Sequence, residues 1–361
     1  MSDREKNGLR GRVASVRTEF FDCDQQTGEV LGGPQRATIE TYHPDGHITS
    51  LINENWDGSM STTTYIYSSR GDLAEVKSEF NGMFHGGAVS QYDAAGRLVR
   101  TTNEAQNGAK WQSASCTYDD GGSKTEVQFP LPDFVLAEMM TSAKASRQAL
   151  GHPAGEVGYD ASLTCTTTIY YDARGNRLEE LRHNPNRELI GRVIYTYDGQ
   201  GRLTEEREQI GPGSVFDQIS SDPGADAAEL ESLQQTLEQA FETGAGLLLT
   251  TYSYDLDGKK IEEVARQGPF SSTRQMFAYD EYGNLAAVHY GEERTDFEAG
   301  PDGRLSPASP SRRDSYVHRF AYGYDSHGNW TQKTLTTIDN AGDQHHSNVE
   351  RRAITYHPPE V

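Results

Sequence analysis

The sequence repeats itself. Ile194-Tyr195-Thr196-Tyr197-Asp198-Gly199-Gln200-Gly201-Arg202-Leu203 has eight variants elsewhere in the chain. Their turns are Tyr42-His43-Pro44-Asp45-Gly46, Tyr67-Ser68-Ser69-Arg70-Gly71, Tyr92-Asp93-Ala94-Ala95-Gly96, Tyr118-Asp119-Asp120-Gly121-Gly122, Tyr171-Asp172-Ala173-Arg174-Gly175, Tyr254-Asp255-Leu256-Asp257-Gly258, Tyr279-Asp280-Glu281-Tyr282-Gly283 and Tyr324-Asp325-Ser326-His327-Gly328. The base period is 25 to 26 residues, and three intervals carry extra sequence. A chain of 361 residues could hold two ordinary domains, but a repeat array packs unit on unit, so a single domain over 1–361 is the expectation.

Each unit carries the chemistry of a β-hairpin. Asp accepts a hydrogen bond from the backbone two residues on, and the final Gly supplies the positive φ that closes a type I turn with a bulge. Before the turn the aromatic period is two, as in Tyr195/Tyr197 and Tyr322/Tyr324, which sets both rings on one face of a strand. Asp57-Gly58, Asn81-Gly82 and Asn107-Gly108 read as two-residue hairpin turns at the opposite edge. The fold class this implies is all-β with two inserted helices. It is an antiparallel meander of about twenty strands built from 25–26-residue hairpin repeats. Neighbouring strands twist by roughly 20–25°, so so many strands are expected to coil into an open spiral or shell-like sheet.

The long intervals fall at the edge opposite the Tyr-Asp turns. Residues 130–160 and 211–246 are expected to be helical: Phe134 to Leu150 lies between Pro132-Asp133 and Gly151, and Asp222-Pro223 opens a stripe of Leu230, Leu233, Leu237 and Phe241 that Gly244 ends. Residues 292–315, with Pro301, Pro307 and Pro310 among serines, read as a mobile loop.

Only 34% of residues are apolar, which favours a wide Tyr-bearing sheet over a thick aliphatic core. The formal charge of −21 opposes nucleic acid and anionic membranes as partners. Cys23, Cys116 and Cys165 are too scattered for a disulfide framework and read as reduced thiols. No run is long and apolar enough for a membrane span, so the expected location is the cytoplasm, or the exterior by a route needing no N-terminal signal.

The recurring Tyr-Asp-x-x-Gly-Arg/Asn-Leu, fullest in Tyr92 to Leu98 and Tyr197 to Leu203, resembles the YD repeat of the rearrangement-hotspot (RHS) family, from about Thr38 to Tyr356. The resemblance implies a coiled β-sheet. In large members of that family the sheet encloses a C-terminal toxin used in bacterial antagonism, and some members are linked to carbohydrate binding. No counterpart of the delivery, self-cleaving or toxin regions is seen, and what transfers is structural: Tyr92, Asp93, Gly96, Tyr171, Asp172, Gly175, Tyr197, Asp198, Gly201, Tyr254, Asp255, Gly258, Tyr279, Asp280, Gly283, Tyr324, Asp325 and Gly328 as repeat turns.

No catalytic motif stands out. Asp255-Leu256-Asp257-Gly258 lacks the later ligands of a calcium loop and reads as a turn. His345-His346 reads as a solvated pair, and Glu75, Glu180, Glu205 and Glu263 recur because the repeat does. Trp56 and Trp111 are the candidate binding aromatics. The expectation is a non-catalytic scaffold, without cofactor or metal, that binds a protein or a carbohydrate. Two alternatives stand beside it: a hydrolase with its site beneath the helical insertions, and an acidic immunity-like protein that masks a basic toxin.

Overall fold

The computed structural model describes residues 2–149, 161–210, 248–267, 271–294, 297–299, 305–307 and 312–358. The second expected helix, Asp222 to Gly244, lies outside them. The strands form a twenty-stranded sheet in which every registered pair is antiparallel, with a separate two-stranded ribbon, Phe297–Ala299 with Leu305–Pro307. Among the described residues no helix is long and apolar enough to cross a membrane.

The open spiral is overturned. The first strand, Val13–Phe21, pairs along one edge with Arg36–Tyr42 and along the other with the last strand, Gln344–Tyr356. The N-terminal strand therefore has no free edge, and the meander is a closed antiparallel barrel. Twist alone could not reveal this, because closure depends on whether the first and last strands share a register. They do, from Val13↔Tyr356 to Phe21↔Val349, with one bulge.

Local chemistry explains the hairpins. In the unit at Tyr92, Asp93 N donates to Arg97 O at 2.9 Å and Gly96 N to Asp93 O at 3.0 Å. Asp93 Oδ1 accepts from Ala95 N and Arg97 N, both at 2.9 Å. The final Gly of all nine units has positive φ, and the register shifts at the Tyr itself, as between Thr196 and Tyr197. Of the three pairs expected at the opposite edge, Asn81-Gly82 alone is a two-residue turn with φ positive at both positions. Asp57-Gly58 and Asn107-Gly108 instead complete the longer bulged turn: Gly58 N donates to Asn55 O and Gly108 N to Ala105 O.

The chain groups into two compact units. One comprises Met1–Gly87 with Tyr252–Val361, the other Ala88–Thr251. In the first, Leu9, Val13, Val16 and Tyr42 form a buried cluster flanked by Ile48, Ile354 and Tyr356. A short capped helix, Asp3–Lys6, not foreseen from the charged N-terminus, is tied to the turn of the Tyr42 unit, with Arg4 N donating to Gly46 O at 3.0 Å. The loop expected over 292–315 lies in part outside the described residues; at its ends strands Leu285–Arg294 and Arg312–Tyr324 pair as far as Arg294↔Arg312.

The second unit buries Cys116, Leu136, Cys165, Ile169 and Val193. The first insertion forms the helix Asp133–Ala149, followed after residues 150–160 by the 3-10 turn Ala161–Thr164. All three cysteines are free thiols and buried.

Candidate functional site

The Tyr-Asp turns are joined to one another. Tyr324 Oη donates to Asp280 Oδ2 of the preceding turn, and Tyr356 Oη to Asp325 Oδ2. In four turns the residue after the turn Gly addresses the ring or hydroxyl of the next Tyr. Asn284 and Asn329 each donate Nδ2–H to a hydroxyl, of Tyr324 and Tyr356, at 2.9 Å. His47 stacks on Tyr67 with centroids 4.6 Å apart, and the guanidinium of Arg97 lies 4.5 Å from the Tyr118 centroid. Tyr279 Oη donates to Lys260 O and Tyr171 Oη to Glu126. Asp172, Asp198 and Asp255 cap the backbone of their own turns, ending at Gly175, Gly201 and Gly258. These polar groups are used in holding the repeat together.

The recurring glutamates are likewise spent. Glu75 pairs with Lys77, Glu205 with Arg207 and Glu263 with Lys260. Glu180 departs from a solvated column: it is buried and held by Arg182 at 2.8 Å. His346 Nδ1 lies 3.1 Å from Thr336 Oγ1, and among the described residues no group of three His, Cys, Asp or Glu could hold a metal. Trp56 stands 82% exposed beside its turn. Trp111 is not a free platform, for its ring meets Phe134 of the helix edge-on at 6.0 Å and its indole N–H is buried without an acceptor.

The second unit contains a groove of about 770 Å³ that uses none of the repeat-turn residues. One wall begins where strand Lys124–Gln128 gives way to Phe129-Pro130-Leu131-Pro132. The prolines end strand pairing and start the helix; Pro132 O accepts from Val135 N and Leu136 N. Leu131 N donates to Leu163 O at 2.9 Å, which fixes this wall to the 3-10 turn. The opposite wall is the turn between strands Arg177–His183 and Leu189–Tyr197. Pro130, Leu131, Leu136, Pro185, Thr164 and Thr166 supply most of the surface, and Asp133, His183 and Arg187 bring three ionisable side chains to it. Among the described residues, none of those three side chains has a hydrogen-bond or ion-pair partner.

Sequence reasoning placed interest at the Asp133 insertion and missed the facing wall. Asn184-Pro185-Asn186-Arg187-Glu188 is a further turn with the hydrogen bonds of the repeat turns. Asn184 N donates to Glu188 O at 3.0 Å, Arg187 N to Asn184 O at 2.9 Å, and Asn184 Oδ1 accepts from Glu188 N at 2.9 Å. Asn in place of Asp was a readable signal. Arg187 in place of Gly hid it, since it adopts φ +67, a left-handed conformation costing a side-chain-bearing residue about 1–2 kcal/mol.

No protein-family model matches the chain, and no curated protein matches it. Among solved structures it is similar to a chain of the TcdB2-TccC3-Cdc42 structure, at 13% identity over 92% of this chain and a TM-score of 0.22; the match spans only 19% of that chain. A porin-like protein from Bacteroides uniformis matches at 10% identity over 95% of this chain and 96% of its own, with a TM-score of 0.27. A transferrin-binding protein B variant from Haemophilus parasuis matches at 7% identity over 95% of this chain and 76% of its own, with a TM-score of 0.17. At such scores, function has to be sought in the chain's own residues.

Proposed function

We propose that this protein is a non-catalytic repeat scaffold that binds a partner protein in the groove beside the helix Asp133–Ala149. One observation carries the reading: titratable side chains of the repeat turns such as Asp93, Asp280 and Asp325 hold the fold, whereas Asp133, His183 and Arg187 converge on an apolar-walled groove and, among the described residues, their side chains have no hydrogen-bond or ion-pair partner. Unspent polar groups around an apolar surface are the ordinary composition of a binding site. Its lining supplies no cysteine or serine, its hydroxyls are those of Thr164 and Thr166, and no carboxylate orients His183. A nucleophile with a positioned base is what acyl or phosphoryl transfer would need, so binding is favoured over hydrolysis.

The test is a photo-crosslinking residue placed at Pro185 on the groove, or at Leu256 on a Tyr-Asp turn, in the full chain in its native cells. A single partner adduct at Pro185, missing at Leu256 and lost when Leu131→Glu is added, supports the reading. Equal adducts at both positions, or an adduct indifferent to Leu131→Glu, contradicts it.

A further inference from the structure

All nine repeat turns end on a glycine with positive φ, and the turn that closes the groove has the same backbone hydrogen bonds with Arg187 in the glycine's place. A glycine there would make the same turn without strain. Among the described residues the Arg187 guanidinium makes no hydrogen bond, ion pair or ring contact, and its side chain lines the groove. The His183 side chain, on the same wall, also has no partner among the described residues. In a chain with a formal charge of −21 whose Arg182, Arg192 and Arg202 are paired to carboxylates, an exposed arginine in a left-handed conformation on the groove wall stands apart. Strain of this kind is retained where a site needs it.

We propose that Arg187 reads a carboxylate of the partner: an extended acidic peptide segment whose Asp or Glu is met by Arg187, with His183 beside it, and whose neighbouring apolar side chain lies against Leu131, Leu136 and Pro185. This rests on the groove being the partner site. A carboxylate is matched to a single guanidinium by the two parallel hydrogen bonds of a planar fork. The opposite charges at the groove give the segment a direction. Asp133, at the start of the helix, disfavours a second acidic group on its own wall and accepts a backbone N–H or a basic side chain, so the carboxylate is directed to the hairpin wall.

The experiment pans a phage-displayed library of random dodecapeptides on the full-length protein. The best peptide is then measured by fluorescence anisotropy against wild type, Arg187→Gly, Arg187→Lys and Leu131→Glu. Enriched peptides are expected to carry an Asp or Glu beside an apolar residue. Arg187→Gly is expected to weaken binding about tenfold or more, yet raise Tm by about 1–2 °C because the strain is gone. Arg187→Lys keeps charge and strain but loses the fork, and should fall between the two. Replacing the peptide's acid by its amide should cost the wild type the same factor as Arg187→Gly, and cost Arg187→Gly nothing. If acid and amide peptides bind wild type equally, or Arg187→Gly binds the acidic peptide as wild type does, the carboxylate reading is wrong, while a loss with Leu131→Glu leaves the groove standing. If no peptide is enriched, or Leu131→Glu binds as wild type does, the groove itself is the wrong site.

Discussion

At the scale of single residues, the repeat Asp does two things at once. In the unit at Tyr279, Asp280 Oδ1 accepts Tyr282 N and Asn284 N at 2.9 and 2.8 Å, closing its own turn, while Oδ2 takes the hydroxyl of Tyr324. Burial works to raise the Asp280 pKa, but the hydrogen bonds from Tyr324 and the turn outweigh it and hold the carboxyl below its ordinary 3.8. Burial, and then the same bond, pushes Tyr324 up to about 12. The depressed acid stabilises the fold above its unfolded value and loses that contribution as pH falls below 3.8; the raised phenol stabilises below 10.0 and loses it as pH climbs toward about 12. Tyr324→Phe is therefore expected to cost about 1 kcal/mol at neutral pH, with the difference from wild type shrinking at both extremes, as urea titrations at about pH 3, 7 and 11 would show. The turn chemistry of Asp280 to Gly283 was legible because it is local. The bond to Tyr324 was not, since its partners lie 44 residues apart across an insertion. Arg187 was illegible for a different reason: a pattern that demands glycine passes over the one turn where the glycine has been replaced.

Among the elements, the helix Asp133–Ala149 shows how far boundaries can be read and where reading stops. Pro132-Asp133 marked its start. What the sequence could not specify was the contact, Phe134 edge-on to Trp111 with an interplanar angle of 83°. Phe134→Ala should cost about 1 kcal/mol, since Phe134 is 42% exposed and most of the loss is the ring pair itself. Urea melts would measure the cost, and the near-UV signal of Trp111 should weaken before unfolding begins. In residues 292–315 the prolines and serines suggested an unstructured loop. At the ends of that stretch the pairing Glu292↔Asp314 follows a register continuing from Ala287↔Arg319, which composition does not show.

For the whole molecule, counting turns gave about twenty strands and their antiparallel order, but not the closure. Strand number and twist follow from each unit alone, whereas closure is a match between the first strand and the last. His357 N donates to Arg12 O at 2.7 Å beside that seam. A circular permutant that joins residue 358 to residue 2 through a flexible linker, and opens the chain between Asp57 and Gly58, is expected to fold with nearly unchanged Tm, because the seam tolerates covalent joining and the new ends fall in an exposed turn. Deleting 344–361 strips one edge from Val13–Phe21 and is expected to give aggregation on refolding, followed by light scattering.

That seam also sets a timetable. Ser15 meets Thr355 across 340 residues of intervening chain, and a ribosome adding about 5–20 residues per second needs on the order of tens of seconds to deliver the second after the first. Throughout that interval the opening strand has left the ribosome with half of its backbone partners not yet made. The hairpins behind it can form as they emerge, but the strand that is translated first is among the last to be completed.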